Sequence, residues 1–183
     1  MDLIVKKGEA FSYSDGDIKR LLDDDVRILK YPELANMTTL DEILGGNSCA
    51  CILYMTKQNF GHWTALIKNP GGQSSTYEVF DPYGIFPDEE LKYISEEFKD
   101  VSNQNRQHLS HIISDELASG KIKEVFYNKY KLQSSMQDIN TCGRWCGIRC
   151  LLKRFSIQEF CLLFIDQKLT PDEWVTTMTL INK

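Results

Sequence analysis

One thiol, one imidazole and one carboxylate stand in this sequence where they could act together. Cys142 follows Asn140-Thr141 and precedes Gly143. Threonine is a helix-capping residue type, so the spacing predicts Cys142 in the first turn of a helix. Unpaired N–H groups and the helix dipole at such a start favour a thiolate. His62 lies between Gly61 and Trp63 at the start of a strand-like run, and Asp81 ends the next one. If the two runs pair as a hairpin, the start of one lies near the end of the other, so His62 and Asp81 come side by side at one sheet edge. A carboxylate there holds one imidazole N–H and fixes the tautomer. Nucleophilic acyl transfer needs this set: a thiolate, a base within its reach and an acid that orients the base. It also needs oxyanion donors. The backbone N–H of Cys142 is one, and the side-chain amide of Gln137 or Gln133, five and nine residues upstream, is the other.

Each of these residues also has a plainer role. Asp81 precedes Pro82 and suits an Asx turn, and Cys142 suits a packed, inert thiol. His108 and His111 lie in a polar segment and are read as surface residues. The chain has six cysteines, at 49, 51, 142, 146, 150 and 161. The opening segment MDLIVKKGEAFSYSDGD has no apolar signal-peptide core, so a reducing compartment is expected, and with it free thiols. Cys146 and Cys150 share a flank of the Cys142 helix, while Cys49, Cys51 and Cys161 sit in apolar runs; all five are expected to pack. The cysteines lack the paired spacing of a zinc knuckle, so no metal site is expected. Gly143 would let a substrate backbone approach closely.

The elements that must position these residues are partly legible. Residues 12–23 read as a helix start with Ser12, Ser14 or Asp15 as cap, and 39–44 as a short helix stopped by Gly45-Gly46. Residues 26–31 suit a short strand or a loop. Strand-like runs cover 49–55, 63–68 and 76–80, the last two joined by the turn at Asn69-Pro70. Pro87 to Glu90 open a helix, whereas 99–112 and 122–127 stay ambiguous. A helix from Thr141 to about Phe155 presents Trp145, Ile148, Leu151, Leu152 and Phe155 as its apolar face. Further helices are expected at 157–166 and 171–181, the second capped by Thr170. The pattern is α+β: a small, mostly antiparallel sheet with helices on both sides. At 183 residues a single domain over 1–183 is expected. An apolar content of 42% suffices for a core, and no run of 18 apolar residues suggests a membrane span. The formal charge of -5 argues against broad phosphate binding.

Three segments together resemble one family. Gly61-His62-Trp63-Thr64-Ala65-Leu66-Ile67-Lys68-Asn69-Pro70, then Tyr77-Glu78-Val79-Phe80-Asp81-Pro82-Tyr83-Gly84, then Thr141-Cys142-Gly143-Arg144-Trp145-Cys146 are similar to the adenovirus maturation proteases (adenain). These belong with the ubiquitin-like-protein (Ulp/SENP-type) proteases in one wider cysteine-peptidase group. The resemblance covers about residues 58–92 and 137–155. It implies the adenain/Ulp-like fold, with the nucleophile at the start of a central helix. It implies His62 as general base, Asp81 as orienting acid and Cys142 as nucleophile. Gln137 most nearly matches the oxyanion-hole glutamine, with Gln133 as the alternative. Trp63 matches an aromatic that borders the histidine, where a ring face favours an imidazolium. A narrow cleft preferring glycine near the scissile bond is implied too.

The wording around His62 and Asp81 points to a viral capsid maturation protease, as of a virophage or related DNA virus. Its expected setting is the infected cell's cytoplasm or nucleus and the virion interior, and its expected partners are capsid precursors. The expected state is a monomer away from membranes. The family uses DNA and a disulfide-linked activating peptide as cofactors. The charge of -5 argues against the same reliance on DNA, and no cofactor is expected to be required. The alternatives are an Ulp/SENP-like isopeptidase with the same three residues, a non-enzymatic adaptor that keeps the fold, and a zinc-stabilised binding module. A papain-like order is excluded, because Cys49 lies only 13 residues before His62.

Overall fold

The computed structural model describes residues 3–165 and 167–180. Its elements begin and end at local signals. After α1 (Leu3–Ala10), Ser14 caps α2 (Asp15–Leu21) in a reciprocal box with Asp17. β1 (Arg27–Lys30) runs into a 3₁₀ turn at Tyr31–Asn36. Thr39 caps α3 (Leu40–Leu44), and Gly45 ends it at φ 57, a left-handed conformation that suits glycine. There follow β2 (Cys49–Lys57), β3 (Phe60–Lys68), β4 (Thr76–Phe80), α4 (Glu96–Ser102), α5 (His108–Ala118), β5 (Glu124–Tyr127), α6 (Cys142–Leu151), α7 (Ile157–Leu162) and α8 (Pro171–Met178). Capping boxes open α7 at Ser156 and α8 at Thr170, with Pro171 in the first helical position. α7 and α8 end at Leu162 and Met178, short of the expected ends at 166 and 181, two positions that themselves fall outside the described residues.

The protein is α+β. Its five strands lie in chain order, β1-β2-β3-β4-β5, in one sheet. The expected mostly antiparallel sheet is in fact mixed. β2, β3 and β4 form an antiparallel meander, but β1 pairs parallel to β2 and β5 parallel to β4. A parallel neighbour needs a crossover. The 3₁₀ turn and α3 supply one between β1 and β2; α4 and α5, which overlap only in part the ambiguous stretch 99–112, supply the other. Between β4 and α4 the helix expected from Pro87 is only a 3₁₀ turn, Glu89–Tyr93, because Asp88 before it takes φ 66.

Alternation along β2 divides the interior in two. Cys49, Cys51 and Leu53 face one apolar cluster, with Trp145, Cys146, Ile148, Phe160 and Phe164 of the α6–α7 region. Ala50, Ile52 and Tyr54 face the other, with residues of α3 and α5. Helices thus cover both faces, as expected. α6 packs across β3, and every residue from Cys142 to Cys150 is buried. It ends at Leu151, four residues short of the expected Phe155, and Leu151 is exposed rather than part of an apolar face. Arg149 fixes this end from inside: its guanidinium forks onto the Glu78 carboxylate of β4 at 2.7 and 2.6 Å and also donates to the Leu152 and Phe155 carbonyls.

Candidate active site

The β3–β4 register pairs Ala65 with Phe80, so Asp81 follows directly beyond the end of β4 on the side to which His62 also points. There His62 Nε2 lies 3.1 Å from Asp81 Oδ2. The two sequence-based roles of Asp81 coexist, one on each oxygen. Oδ1 closes an Asx turn by accepting the Tyr83 N–H at 2.7 Å, while Oδ2 faces the imidazole. Asn128 holds the turn from below by donating to the Asp81 carbonyl at 2.8 Å. Burial, outweighing the Tyr83 bond, pushes the Asp81 carboxyl up to about 6.

A second carboxyl, which the sequence does not flag, reaches the same imidazole. Glu90 Oε1 is 3.5 Å from His62 Nε2 and has no hydrogen-bond partner of its own, although the residue is only 6% exposed. It is aimed inward by its turn. Asp88, just before it, accepts from Tyr31, Tyr54 and the Ser110 N–H and so anchors the segment. Tyr83 stacks on His62 ring to ring, with 4.7 Å between centroids and 20° between planes. The ring bordering the histidine is therefore Tyr83. Trp63 alternates to the opposite face of β3, where it is buried in the α6-side core and donates Nε1–H to the Tyr13 carbonyl at 3.1 Å.

Cys142 opens α6 and lines the same cleft as His62. Burial lowers the pKa of His62, but its interactions with Cys142 and then Glu90 outweigh it, and the net direction is up. The Cys142 N–H, at the first helical position, has no partner within the helix. Asp172 of α8 braces this helix start. It accepts the Ser134 N–H at 2.8 Å and the Trp145 indole N–H at 3.2 Å, and it also accepts the Thr141 hydroxyl. Thr141 thus stands at the cap position without capping through its side chain, because its hydroxyl is committed to Asp172.

The same brace decides between the two glutamines. The N–H groups of Leu132 and Gln133 both donate to the Pro82 carbonyl, and Ser134 is held by Asp172. This pins Gln133 into the wall of the cleft, 2% exposed, whereas Gln137 lies beyond the pinned stretch and points to solvent. Of the two glutamines that the sequence offers for the oxyanion role, Gln137 first and Gln133 as its alternative, the one that lines the cleft is Gln133. Gln133 Nε2 donates to the Tyr83 hydroxyl at 3.2 Å and the Ile139 carbonyl at 3.3 Å, both long bonds, and its Oε1 has no partner.

His62, Glu90, Tyr83, Gln133 and Cys142 line one cleft of about 550 Å³. A smaller hollow of about 220 Å³ meets it at Cys142 and Gly61. Gly143 is not open to that space. A Cβ there would stand 2.8 Å from the Tyr13 Cβ and 3.2 Å from Trp63 Cδ1, so glycine serves the packing of α6 on the protein's own core. The other five cysteines are free and buried, and their thiol pKa values are raised. Burial takes Cys161 up to about 12, and Cys146 donates to the Trp63 carbonyl at 3.3 Å.

Among the described residues, one group of three has metal-ligand atoms mutually within 4.8 Å: His62, Asp81 and Glu90. Its imidazole nitrogen is already paired with Asp81, so a cation would have to displace that contact. Neither Glu90 nor Tyr83 nor Asp172 carries a signal in the sequence, except that Tyr83 sits inside the Asp-Pro-Tyr-Gly turn that places Asp81.

No known protein-family profile matches the chain. It is 37% identical to "Uncharacterized protein V9" of the Sputnik virophage, over 180 residues that span 96% of this chain and 98% of that protein. The chain belongs to the family of that viral protein.

Proposed function

We propose that this member of the V9 family is a cysteine endopeptidase that cleaves virion precursor proteins. Cys142 is its nucleophile, His62 its base, Asp81 the acid that orients the base, and Gln133 with the Cys142 N–H its oxyanion donors. The observation that most supports this is the pairing of His62 Nε2 with Asp81 beside a cleft whose other wall is the first residue of a buried helix, a cysteine. Further support comes from the α+β layout with α6 packed across β3, which suits the adenain and Ulp-like arrangement.

The chemistry would run as covalent acyl transfer. With Nε2–H held by Asp81, Nδ1 is left to take the Cys142 proton. The thiolate attacks the peptide carbonyl carbon. Negative charge develops on the carbonyl oxygen, where the Cys142 N–H meets it, and Gln133 swings one of its two long N–H bonds towards it. The imidazolium then protonates the leaving amine, and the C–N bond breaks. Water, giving its proton to His62, attacks the thioester and releases the carboxylate and the thiol. Virion precursors are the substrates favoured by the resemblance together with the virophage relative, and the monomer acts in this scheme without DNA or a metal.

A peptide ending in a Gly-Gly vinyl sulfone, incubated with the full chain, is expected to modify Cys142. The Cys142→Ala variant is expected to fold, to resist labelling and to cleave nothing. Modification of a folded protein only at another cysteine, or cleavage by the variant, would sink the assignment.

A further inference from the structure

Two buried carboxyls converge on one imidazole N–H. Asp81 Oδ2 and Glu90 Oε1 lie 3.1 and 3.5 Å from the same His62 Nε2, and an oxygen of each carboxyl lies within 4.8 Å of the other's. One N–H satisfies one of them. Glu90 is left with a buried, unpartnered oxygen. Two ionised carboxylates so placed, away from water, would repel each other at close range, and a single proton between them removes the conflict.

We propose that Asp81 and Glu90 share one proton behind His62, which makes Glu90 a positioning residue that sets how much negative charge the imidazole meets. In the neutral form the Glu90 hydroxyl donates to the Asp81 carboxylate. Asp81 is then held between two donors, the Glu90 O–H and the His62 N–H, and neither can swing away. When Glu90 loses its proton, a second negative charge stands beside His62 and holds the imidazolium to higher pH. Rising pH thus strengthens the partner of the imidazolium as the imidazolium itself becomes harder to keep.

Among the described residues no cation neutralises this pair of carboxyls, which leaves the proton to do so. Glu89 on the same turn is a further negative charge, and Lys92 pairs with Glu89 at 2.9 Å. Tyr54 and Tyr83 face the cleft as neutral phenols whose own pKa values are raised, first by burial. Lys131, at the far rim, donates to the Ser135 hydroxyl. Among the described residues no lysine or arginine pairs with Glu90. In keeping with this, burial and then the bond to Asp81 push the Glu90 carboxyl up to about 9.

This inference rests on the proposed role of His62 for its meaning but not for its test. The test is the titration of His62 by NMR in the full-length Cys142→Ala protein, with and without Glu90→Gln, an isosteric change that keeps a donor to Asp81 and cannot ionise. Glu90→Gln mimics the neutral Glu90, so the main His62 midpoint is expected to stay where it is, and the alkaline step in the His62 shift, when Glu90 ionises, is expected to vanish. An alkaline step that persists in Glu90→Gln, or a main midpoint that falls by about one pH unit because Glu90 was already ionised, would overturn the shared proton. So would a titration that changes when EDTA is added, because a cation would then sit between the three groups. Loss of vinyl sulfone labelling at Cys142 is a separate failure, of the peptidase assignment, and leaves this titration readable.

Discussion

His62 Nε2 and Asp81 Oδ2 meet at 3.1 Å across 19 residues of chain, and the meeting is built into the β3–β4 register rather than left to a flexible loop. Asp81 cannot rotate away, because its other oxygen is tied to the Tyr83 N–H and its carbonyl to Asn128. The stacked Tyr83 ring in turn fixes the plane of the imidazole. An ionised carboxylate only accepts hydrogen bonds, so the pairing puts the proton on Nε2 and leaves Nδ1 for Cys142.

Asp81→Asn tests this tautomer. Asparagine keeps an oxygen for the Tyr83 N–H but can turn its NH₂ to His62 and favour the wrong ring proton. The expected result is a kcat lower by about 10³- to 10⁴-fold with an unchanged circular dichroism spectrum.

The two glutamines separate cleanly. Gln133→Ala removes a donor buried in the cleft wall and is expected to lower kcat by about 10²- to 10³-fold. Gln137→Ala changes an exposed side chain and is expected to leave peptide cleavage untouched. The reverse pattern in a peptide cleavage assay would return the oxyanion role to Gln137.

Gly143→Ala is expected to act on the fold before it acts on substrate. The added methyl meets Tyr13 and Trp63 inside the core, which overpacking makes costly by about 1–3 kcal/mol. A lower midpoint in urea denaturation checks it, and an unchanged midpoint with a raised KM would point to substrate approach instead.

Arg149→Met leaves Glu78 as a buried carboxylate without its partner, both side chains being fully buried. Breaking such a pair costs about 3–5 kcal/mol, whereas the double change Arg149→Met with Glu78→Leu is expected to recover most of it. Thermal melts of the three proteins decide.

The carboxyls of the site also set a pH dependence of stability. Asp81 and Glu90 have folded-state values of about 6 and about 9, above their ordinary 3.8 and 4.5. Groups raised in this way contribute stability that is fully present below their unfolded values and is lost as pH rises through the folded ones. His62, also raised, has the same sign. Glu90→Gln removes the Glu90 part, so its Tm is expected to gain on that of the native protein from about pH 5 upwards, by several degrees near pH 10. A Tm difference that stays flat across this range contradicts the raised carboxyl.

The sequence by itself singles out Cys142, His62 and Asp81 as candidates, offers Ser14 among three caps for its helix, and marks the cap at Thr170 and the stop at Gly45. Each rests on short-range chemistry: a capping side chain three residues from its N–H, a left-handed glycine, an Asx turn, alternation along a strand. Tertiary structure decided the rest. Gln133 rather than Gln137 enters the cleft because Pro82 and Asp172, 50 and 38 residues away in the chain from the groups they hold, pin the loop. Glu90 reaches His62 because the Asp88 anchor turns its segment inward. Tyr83 rather than Trp63 covers the imidazole because alternation in β3 sends Trp63 to the other face. The sheet is mixed because α3 on one side, and α4 and α5 on the other, carry the chain across it, and a helix's own periodicity does not say which strands it joins. Hydrogen bonds that close over tens of residues leave no local pattern to read, and those bonds aim the side chains that surround the three legible ones.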